Sequence, residues 1–258
     1  MTRSTTEMRL IALPEFPLVE PGDDLAALIQ ASLARGSLFL ENGDLLVIAQ
    51  KVVSKAEDRY VYLNRVEVGD RAEQLALEVD KDPRLVQVIL DQSNVVVAHR
   101  QGVLIVEHQL GYVHANAGID QSNITSDEKN PRVLLLPENP DASADELVRK
   151  LKTSPDQQLS VIINDSAGRA WRNGSAGFAI GTSGLVALQD MIGDRDLFGR
   201  EMQVTEVAIA DELAAAASFL MGQAGESAPV VLVKGANLTP SSEGSGALIR
   251  ARDRDLFR

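Results

Sequence analysis

The sequence predicts an α/β protein with mixed sheets and flanking helices. Short β-branched runs recur along the chain, and stretches with helical periodicity lie between them. The chain has 258 residues, of which 45% are hydrophobic, so it can bury a substantial core. Regular alternation of the two patterns argues against an all-β sandwich and against a helical bundle.

Seven apolar runs have the length and composition of buried or half-buried strands. They comprise residues 10–13, 44–53, 94–99, 102–108, 132–137, 159–165 and 228–235.

Five helices are predicted from periodicity and from residues that favour helix ends. The first begins at paired aspartates and ends at Gly36, the third follows Asp82-Pro83, and the fourth follows Ser143. The helices cover residues 23–36, 69–80, 82–92, 143–152 and 211–221. Polar stretches at 121–131 and 153–158 are candidate joints, and 235–246 reads as a surface loop.

Composition excludes several classes of partner and site. A formal net charge of -12 opposes nucleic acid or an anionic membrane as the main partner. The absence of cysteine excludes disulfides and thiolate metal sites. No apolar run approaches the roughly 20 residues of a membrane span, and none near the N-terminus resembles a signal segment. We therefore expect a cytoplasmic protein.

Familiar nucleotide and zinc motifs are missing from the sequence. It contains neither GxxxxGK[ST] nor a GxGxxG segment after a strand. The three histidines, His99, His108 and His114, lack the spacing of metal ligands, so we expect structural or surface roles for them.

Oxygen-bearing side chains are better candidates for a site. Asp165 and Ser166 follow the apolar run at 159–165, and Asp120 in the segment ANAGIDQSN also follows a predicted strand. Two carboxylates with nearby hydroxyl and amide oxygens suit a hard cation such as Mg²⁺ or Mn²⁺. The alternative is that these loop residues cap helices or form Asx-turns.

Basic and glycine-rich segments add further candidates. Arg169 and Arg172 lie close to Asp165 in sequence, and guanidinium groups suit phosphate or carboxylate. Lys51 and Lys55 are placed around a strand end, where they need not share a face. Trp171 is expected in the core, with a stacking role as the alternative. The segments at 177–184 and 221–226 indicate close backbone approach, although the second also fits a plain helix C-cap.

Seven ordered segments together resemble the coenzyme F420-0:γ-glutamyl ligase family between about residues 10 and 236. They read IAQKVVSKAEDR, HANAGIDQSN, LLLPENPDASA, VIINDSAGRAWRNG, GFAIGTSG, DLFGREMQVTEVAIADELAAAASFLMGQ and PVVLVKG. The resemblance implies a GTP-dependent enzyme that joins L-glutamate to coenzyme F420-0 through an acyl phosphate. It further implies a two-part α/β subunit and an intertwined homodimer. Some members of that family carry an additional C-terminal nitroreductase-like flavin domain, which we do not expect in a chain of 258 residues.

The resemblance also implies roles for particular residues. Asp120 and Asp165 would ligate one Mg²⁺ or Mn²⁺, while Ser166 and Gln223 would help to hold a second; K⁺ is a further expected cation. Ser166 replaces a common threonine, and Gln223 stands where a carboxylate can occur, which alters the charge of the second position. Arg169 and Arg172 would bind phosphate or substrate carboxylate. The expected nucleotide contacts are Phe16, Pro17, Leu18, Val19, Gln50, Lys51, Lys55, Asn123, Met221, Gly222, Gln223, Ala224, Gly225, Glu226, Ser227 and Ala228.

Two other functions fit the residues when the resemblance is set aside. One is a metal-dependent phosphohydrolase that uses Asp120 and Asp165, and the other is a non-catalytic deazaflavin-binding protein. The whole chain, residues 1–258, is treated as one ligase-like region with an unplaced internal boundary, and residues 237–258 form a C-terminal extension.

Overall fold

The computed structural model describes residues 7–256 and contains twelve strands and six α-helices in that range. The strands are β1 (Arg9–Ala12), β2 (Asp44–Ala49), β3 (Tyr60–Tyr62), β4 (Ser93–Arg100), β5 (Val103–His108), β6 (Val113–Ala115), β7 (Arg132–Leu134), β8 (Leu159–Arg169), β9 (Arg172–Ser183), β10 (Gln189–Asp190), β11 (Glu206–Val207) and β12 (Val230–Lys234). The helices are α1 (Leu25–Arg35), α2 (Gln50–Ala56), α3 (Asp70–Val79), α4 (Pro83–Asp91), α5 (Pro140–Leu151) and α6 (Ile209–Met221). The predicted α/β class is confirmed.

A five-stranded mixed sheet in the order β1-β12-β2-β8-β9 forms the main lobe. Strands β2 and β8 are parallel, whereas the other neighbouring pairs are antiparallel. Both faces are covered: α1, α2 and α5 contribute to the hydrophobic cluster on one side, and α6 packs on the other. Central strands buried on both faces explain the nearly continuous apolar runs in β2 and β8.

A smaller lobe is built from residues 60–135 around its own hydrophobic cluster. Helices α3 and α4 pack together and against the antiparallel sheet β4-β5-β6. The short β3-β7 pair lies where the chain enters this lobe after α2 and leaves it before α5. The carboxylate of Asp82 caps α4 by accepting from the backbone N–H of Arg84, as the Asp-Pro signal predicts.

Several element boundaries differ from the sequence predictions, and three of the differences lie in α2, α5 and β8. Residues 50–53 begin helix α2, in which Val52 and Val53 both pack into the core. Two adjacent buried β-branched residues fit a strand as well as a helix, so the sequence did not reveal the helix. Helix α5 begins at Pro140, where Asn139 rather than Ser143 supplies the cap. Strand β8 continues four residues beyond Asp165 and pairs with β9 as a long hairpin.

The glycine-rich run in β9 does accommodate close backbone approach, as predicted. A Cβ at Gly177 would lie 2.6 Å from Cβ of Ser218 in α6, and one at Gly181 would lie 2.5 Å from the carbonyl oxygen of Pro140. Glycine therefore lets β9 fit between α5 and α6.

The C-terminal segment crosses both lobes. Backbone N–H of Ser245 donates to Asp141 at the start of α5, and Arg252 donates two hydrogen bonds to Glu107 of β5. Phe257 and Arg258 of the expected extension lie outside the described residues. Among the helices within residues 7–256, none has the length and apolar character needed to cross a bilayer.

Candidate functional site

The candidate site lies where the parallel strands β2 and β8 approach the smaller lobe. Ala49 ends β2 opposite Asn164 of β8, so Gln50 and Lys51 at the start of α2 lie beside Asp165. The carboxyl ends of adjacent parallel strands commonly form a ligand crevice. Asp165 itself lies within β8 beside a register irregularity at Ile163/Asn164, which corrects its predicted position at the strand end.

Asp120 reaches this crevice from the smaller lobe. Its backbone pairs with Leu134, and its carboxylate accepts a hydrogen bond of 2.5 Å from Nε2 of Gln50. The Lys51 ammonium lies 3.2 Å from the other oxygen of that carboxylate. The hydroxyl of Ser54 donates to Oε1 of Gln50 and thereby orients the amide. Asp120 thus has the Gln50 amide and the Lys51 ammonium as partners.

Asp165 is the most strongly perturbed acid of the site. Burial raises the pKa of its carboxyl to about 7, and the neighbouring Asp120 carboxylate adds to the rise. One of its oxygens accepts from the backbone N–H of Ser166 at 2.7 Å. Burial also raises the pKa of Asp120, against the opposing effect of Lys51. Neither acid caps a helix, so the capping alternative is wrong for both.

Lys51 and Lys55 share one face of α2, which the sequence interpretation had left open. They are one turn apart, and both reach the polar loop that follows Asp120. Lys51 donates to Ser122, while Lys55 donates to the carbonyl oxygen of Asn123 at 2.8 Å. Burial, together with the charge of Lys51, lowers the pKa of Lys55. The pair forms a small positive region inside an acidic protein.

The glycine-containing loop after α6 forms the side of the crevice opposite helix α2. Gly222 ends the helix with φ +72°, so the C-cap interpretation is confirmed, and the loop that follows also lines the crevice. The Ser166 hydroxyl donates to Oε1 of Gln223 at 2.9 Å. Asn123 donates to the carbonyl oxygen of Ala224 at 3.0 Å, which links the two loops.

These elements surround a cavity of about 520 Å³. Every residue predicted to contact nucleotide lines it, as do Asp120, Asp165 and Ser166. Arg169 and Arg172 do not; they lie exposed at the end of the β8-β9 hairpin. Trp171 between them is 79% exposed, so its predicted core position is wrong.

Five polar lining residues were not selected from the sequence: Glu20, Tyr60, Thr125, Asn164 and Ser218. Asn164 is buried, its amide nitrogen lies 3.6 Å from the sulfur of Met221, and Oδ1 has no hydrogen-bond partner in the described part of the chain. Its position next to Asp165 was the available signal. Glu20 and Thr125 likewise lie close in sequence to the predicted contacts Val19 and Asn123, whereas Tyr60 joins the lining only through tertiary packing.

The residues present fit a hard divalent cation. Asp120, Asp165, Ser166 and Gln223 offer carboxylate, hydroxyl and amide oxygens, which Mg²⁺ and Mn²⁺ prefer. No group of three or more His, Cys, Asp or Glu side chains suited to a metal occurs within residues 7–256. His108 and His114 are buried in contact with each other, and His99 pairs with Glu78 at the surface. The histidines are therefore structural or superficial, as predicted.

Comparison with known proteins places this chain in a family. The family model described as F420-0:Gamma-glutamyl ligase matches residues 14–235. Proteins named Coenzyme F420:L-glutamate ligase are similar over nearly the whole chain. The one from Methanothermobacter thermautotrophicus is 41% identical, covering 96% of this chain and 98% of its own. That from Methanocaldococcus jannaschii is 40% identical over all of both chains, and that from Methanopyrus kandleri is 44% identical, covering 97% and 98%. The chain belongs to the F420-0:gamma-glutamyl ligase family.

Proposed function

We propose that the protein is a GTP-dependent ligase that joins L-glutamate to coenzyme F420-0 through an amide bond. Membership of the family and the names of the relatives support glutamate ligation. One structural observation supports GTP as the phosphate donor. A single cavity is lined by two carboxylates, by two lysines one helical turn apart, and by a glycine-containing loop. This arrangement suits a metal-bound nucleoside triphosphate.

The proposed reaction has two steps. A carboxylate oxygen of coenzyme F420-0 attacks the γ-phosphorus of GTP, and the bond to the β-γ bridging oxygen breaks as GDP leaves. The glutamate amine then attacks the acyl phosphate carbon, phosphate departs, and the nitrogen loses a proton as the amide forms. The protein needs no nucleophile of its own, because charge neutralisation and alignment dominate phosphoryl transfer.

Individual side chains have distinct proposed tasks. Lys51 and Lys55 bind the phosphates from α2, while Asn123 holds the loop around Met221–Ala228 against the nucleotide. Phe16, Pro17, Leu18, Val19 and Gln50 complete the nucleotide contacts. Asp120 and Asp165 would hold one Mg²⁺ or Mn²⁺, and Ser166 with Gln223 would help to hold another. When bound, these ions supply the positive charge that phosphoryl transfer requires.

Arg169 and Arg172 are proposed to bind substrate phosphate or carboxylate from outside the cavity, because both are exposed beyond Ser166 on the same hairpin. The resemblance further supports a homodimer, and K⁺ remains a proposed additional cation.

Release of GDP tests the reaction class. Purified protein with Mn²⁺ and GTP should release GDP only when coenzyme F420-0 is present, and sustained turnover should require L-glutamate. Sustained GDP release without glutamate would indicate the phosphohydrolase alternative. Saturable binding of coenzyme F420-0 without GDP release in the complete mixture would instead indicate a binding protein.

Oxygen labelling tests the acyl phosphate. Coenzyme F420-0 with ¹⁸O in the reacting carboxylate should transfer one labelled oxygen to inorganic phosphate for each amide formed. Unlabelled phosphate alongside glutamylated product would contradict this intermediate.

A further inference from the structure

The two carboxylates of the site come from different lobes. Asp120 is anchored to Leu134 in the smaller lobe, whereas Asp165 belongs to β8 of the main sheet. The relative position of the two carboxylates therefore depends on how the lobes pack. Side chains packed between the lobes are therefore the candidates for fixing that relative position.

Four rings meet between the β4-β5-β6 sheet and β9. His114 is centred 6.4 Å from His108 and 6.1 Å from Phe178, and Tyr112 is 6.1 Å from Phe178, all with edge-to-face geometry. The Tyr112 hydroxyl donates to the carbonyl oxygen of Ile180 in β9. His114 is thus a central member of an aromatic contact between the lobes.

On one side, His114 supports the turn that leads to Asp120. Asn116, Ala117 and Gly118 are consecutive left-handed residues with φ values of 54°, 54° and 66°. Such a run is unfavourable for the two residues that carry a Cβ, so the surrounding packing must hold it. A Cβ at Gly118 would lie only 2.6 Å from Cε1 of His114 and 3.0 Å from Leu136. The turn lies directly against the imidazole, two residues before Asp120.

On the other side, His114 contacts Phe178, which pairs with Asp165 across the two strands. Phe178, whose ring packs against His114, is the residue opposite Asp165 in the β8-β9 ladder. A continuous path of contacts therefore joins the Asp120 turn, His114, Phe178 and Asp165. His114 is buried against Gly118 and Phe178, and its Nε2 has no hydrogen-bond partner within residues 7–256, so its described contacts are packing contacts.

We propose that His114 is a positioning residue that, through Gly118 and Phe178, sets the separation of the Asp120 and Asp165 carboxylates. This inference rests on the metal site of the proposed function. Residues that orient metal ligands typically affect metal affinity by roughly 10–100-fold when they are changed.

Gly118→Ala tests the contact from the side of the turn. The added methyl group would push against His114, so the affinity for Mn²⁺ should fall by about 10-fold or more. The matched control is Gly102→Ala, which has a similar left-handed backbone, φ +78°, but no atom within 4 Å of the new Cβ. Mn²⁺ alone is titrated into metal-free protein, and the free ion is followed by electron paramagnetic resonance.

A second substitution tests the role of the imidazole. His114→Ala alone should weaken Mn²⁺ binding, because the turn loses its support. In the Gly118→Ala background it should partly restore binding, because it removes the closest contact of the new methyl group. Additive losses in the double variant would overturn the proposal. If Gly118→Ala does not fold, Phe178→Leu removes the ring contact with His114 from the β9 side and should also weaken Mn²⁺ binding. Unchanged Mn²⁺ affinity of Phe178→Leu would overturn the proposal.

Hydrogen exchange separates this proposal from the metal assignment. In metal-free protein, Gly118→Ala, or Phe178→Leu in its place, should speed amide exchange in residues 163–168, whereas Gly102→Ala should not. Unchanged exchange and unchanged Mn²⁺ affinity in a folded variant would overturn the positioning role. Wild-type protein that binds no Mn²⁺ would contradict the metal site, and the exchange measurement would then decide the positioning contact by itself.

Discussion

At the scale of single residues, the proposed chemistry depends on two acids, Asp120 and Asp165, that line one crevice. Burial and repulsion by the Asp120 carboxylate oppose ionisation of Asp165 and raise its pKa to about 7. Such a carboxyl group is stabilised by either a proton or a cation, so it is costly to keep charged and unligated. This is the physical basis for expecting metal at Asp165.

Asp165→Asn should therefore stabilise the metal-free protein at pH 8. The folded pKa is raised above that of the unfolded chain, so the wild-type protein loses stability as pH rises from about 4 to about 7. Asparagine does not ionise, and the gain should be on the order of 2 kcal/mol at pH 8 and fade towards pH 4. Urea unfolding in the presence of chelator measures it, with Asp156→Asn, at an exposed position, as the control. A variant less stable than wild type at pH 8 would contradict the pKa argument.

Lys55→Ala should weaken nucleotide binding and leave glutamate binding unchanged. Loss of a charge-assisted phosphate contact is worth about 1.5–3 kcal/mol, which corresponds to roughly a 10- to 100-fold increase in the KM for GTP. Initial rates at varied GTP and varied glutamate separate the two effects. Lys152→Ala, after the end of α5 and outside the cavity, provides the control. An increase confined to the KM for glutamate would remove Lys55 from the nucleotide site.

At the scale of elements, capping residues and strong periodicity identified most helices and strands. The start of α2 was misassigned because β-branched Val52 and Val53 suit either a strand or a buried helix face. The outer part of β8 was missed because its small and polar residues give no apolar alternation; its hydrogen bonds to β9 form it instead. Both errors fall beside the cavity, where functional residues replace regular patterns.

Asp141 shows how an element boundary contributes stability. One of its oxygens accepts from the backbone N–H groups of Thr182 in β9 and Ser245 in the C-terminal segment. Asp141→Ala should leave both donors unpaired and lower the free energy of unfolding by on the order of 2 kcal/mol. Chemical denaturation measures this, and Asp156→Ala should have little effect. Equal stabilities of Asp141→Ala and wild type would show that the two hydrogen bonds contribute nothing net.

At the scale of the whole molecule, the cavity residues were identified through resemblance, but the packing of the lobes was not. Asp120 and Asp165 lie close together because a turn of the smaller lobe packs against the ends of strands β2 and β8. No local sequence pattern predicts the distance between the two carboxylates. The exposed position of Trp171 was missed for the same reason, since exposure of the hairpin end depends on tertiary structure. The metal and nucleotide roles of the lining residues stay predictions.

Exposed apolar residues on the arm between β10 and β11, residues 191–205, fit the proposed homodimer. Leu197 and Phe198 are 99% and 95% exposed, so a second copy would gain from covering them. Sedimentation should show a dimer for wild type and a shift towards monomer for a double variant with Leu197→Asp and Phe198→Asp. Leu77→Asp, at an 85% exposed position on α3, is the control and should leave the dimer intact. A double variant that remains dimeric would exclude this arm from the interface.

The most direct test of the account is the mass of the coenzyme after reaction. Coenzyme F420-0 is incubated with protein, GTP, L-glutamate and Mn²⁺, and the product is analysed by mass spectrometry beside an Asp165→Asn reaction. We predict glutamyl additions with stoichiometric GDP for the wild type and neither for the variant. Unmodified coenzyme in the wild-type reaction, or equal glutamylation by Asp165→Asn, would contradict the assignment of this cavity as the site of ligation.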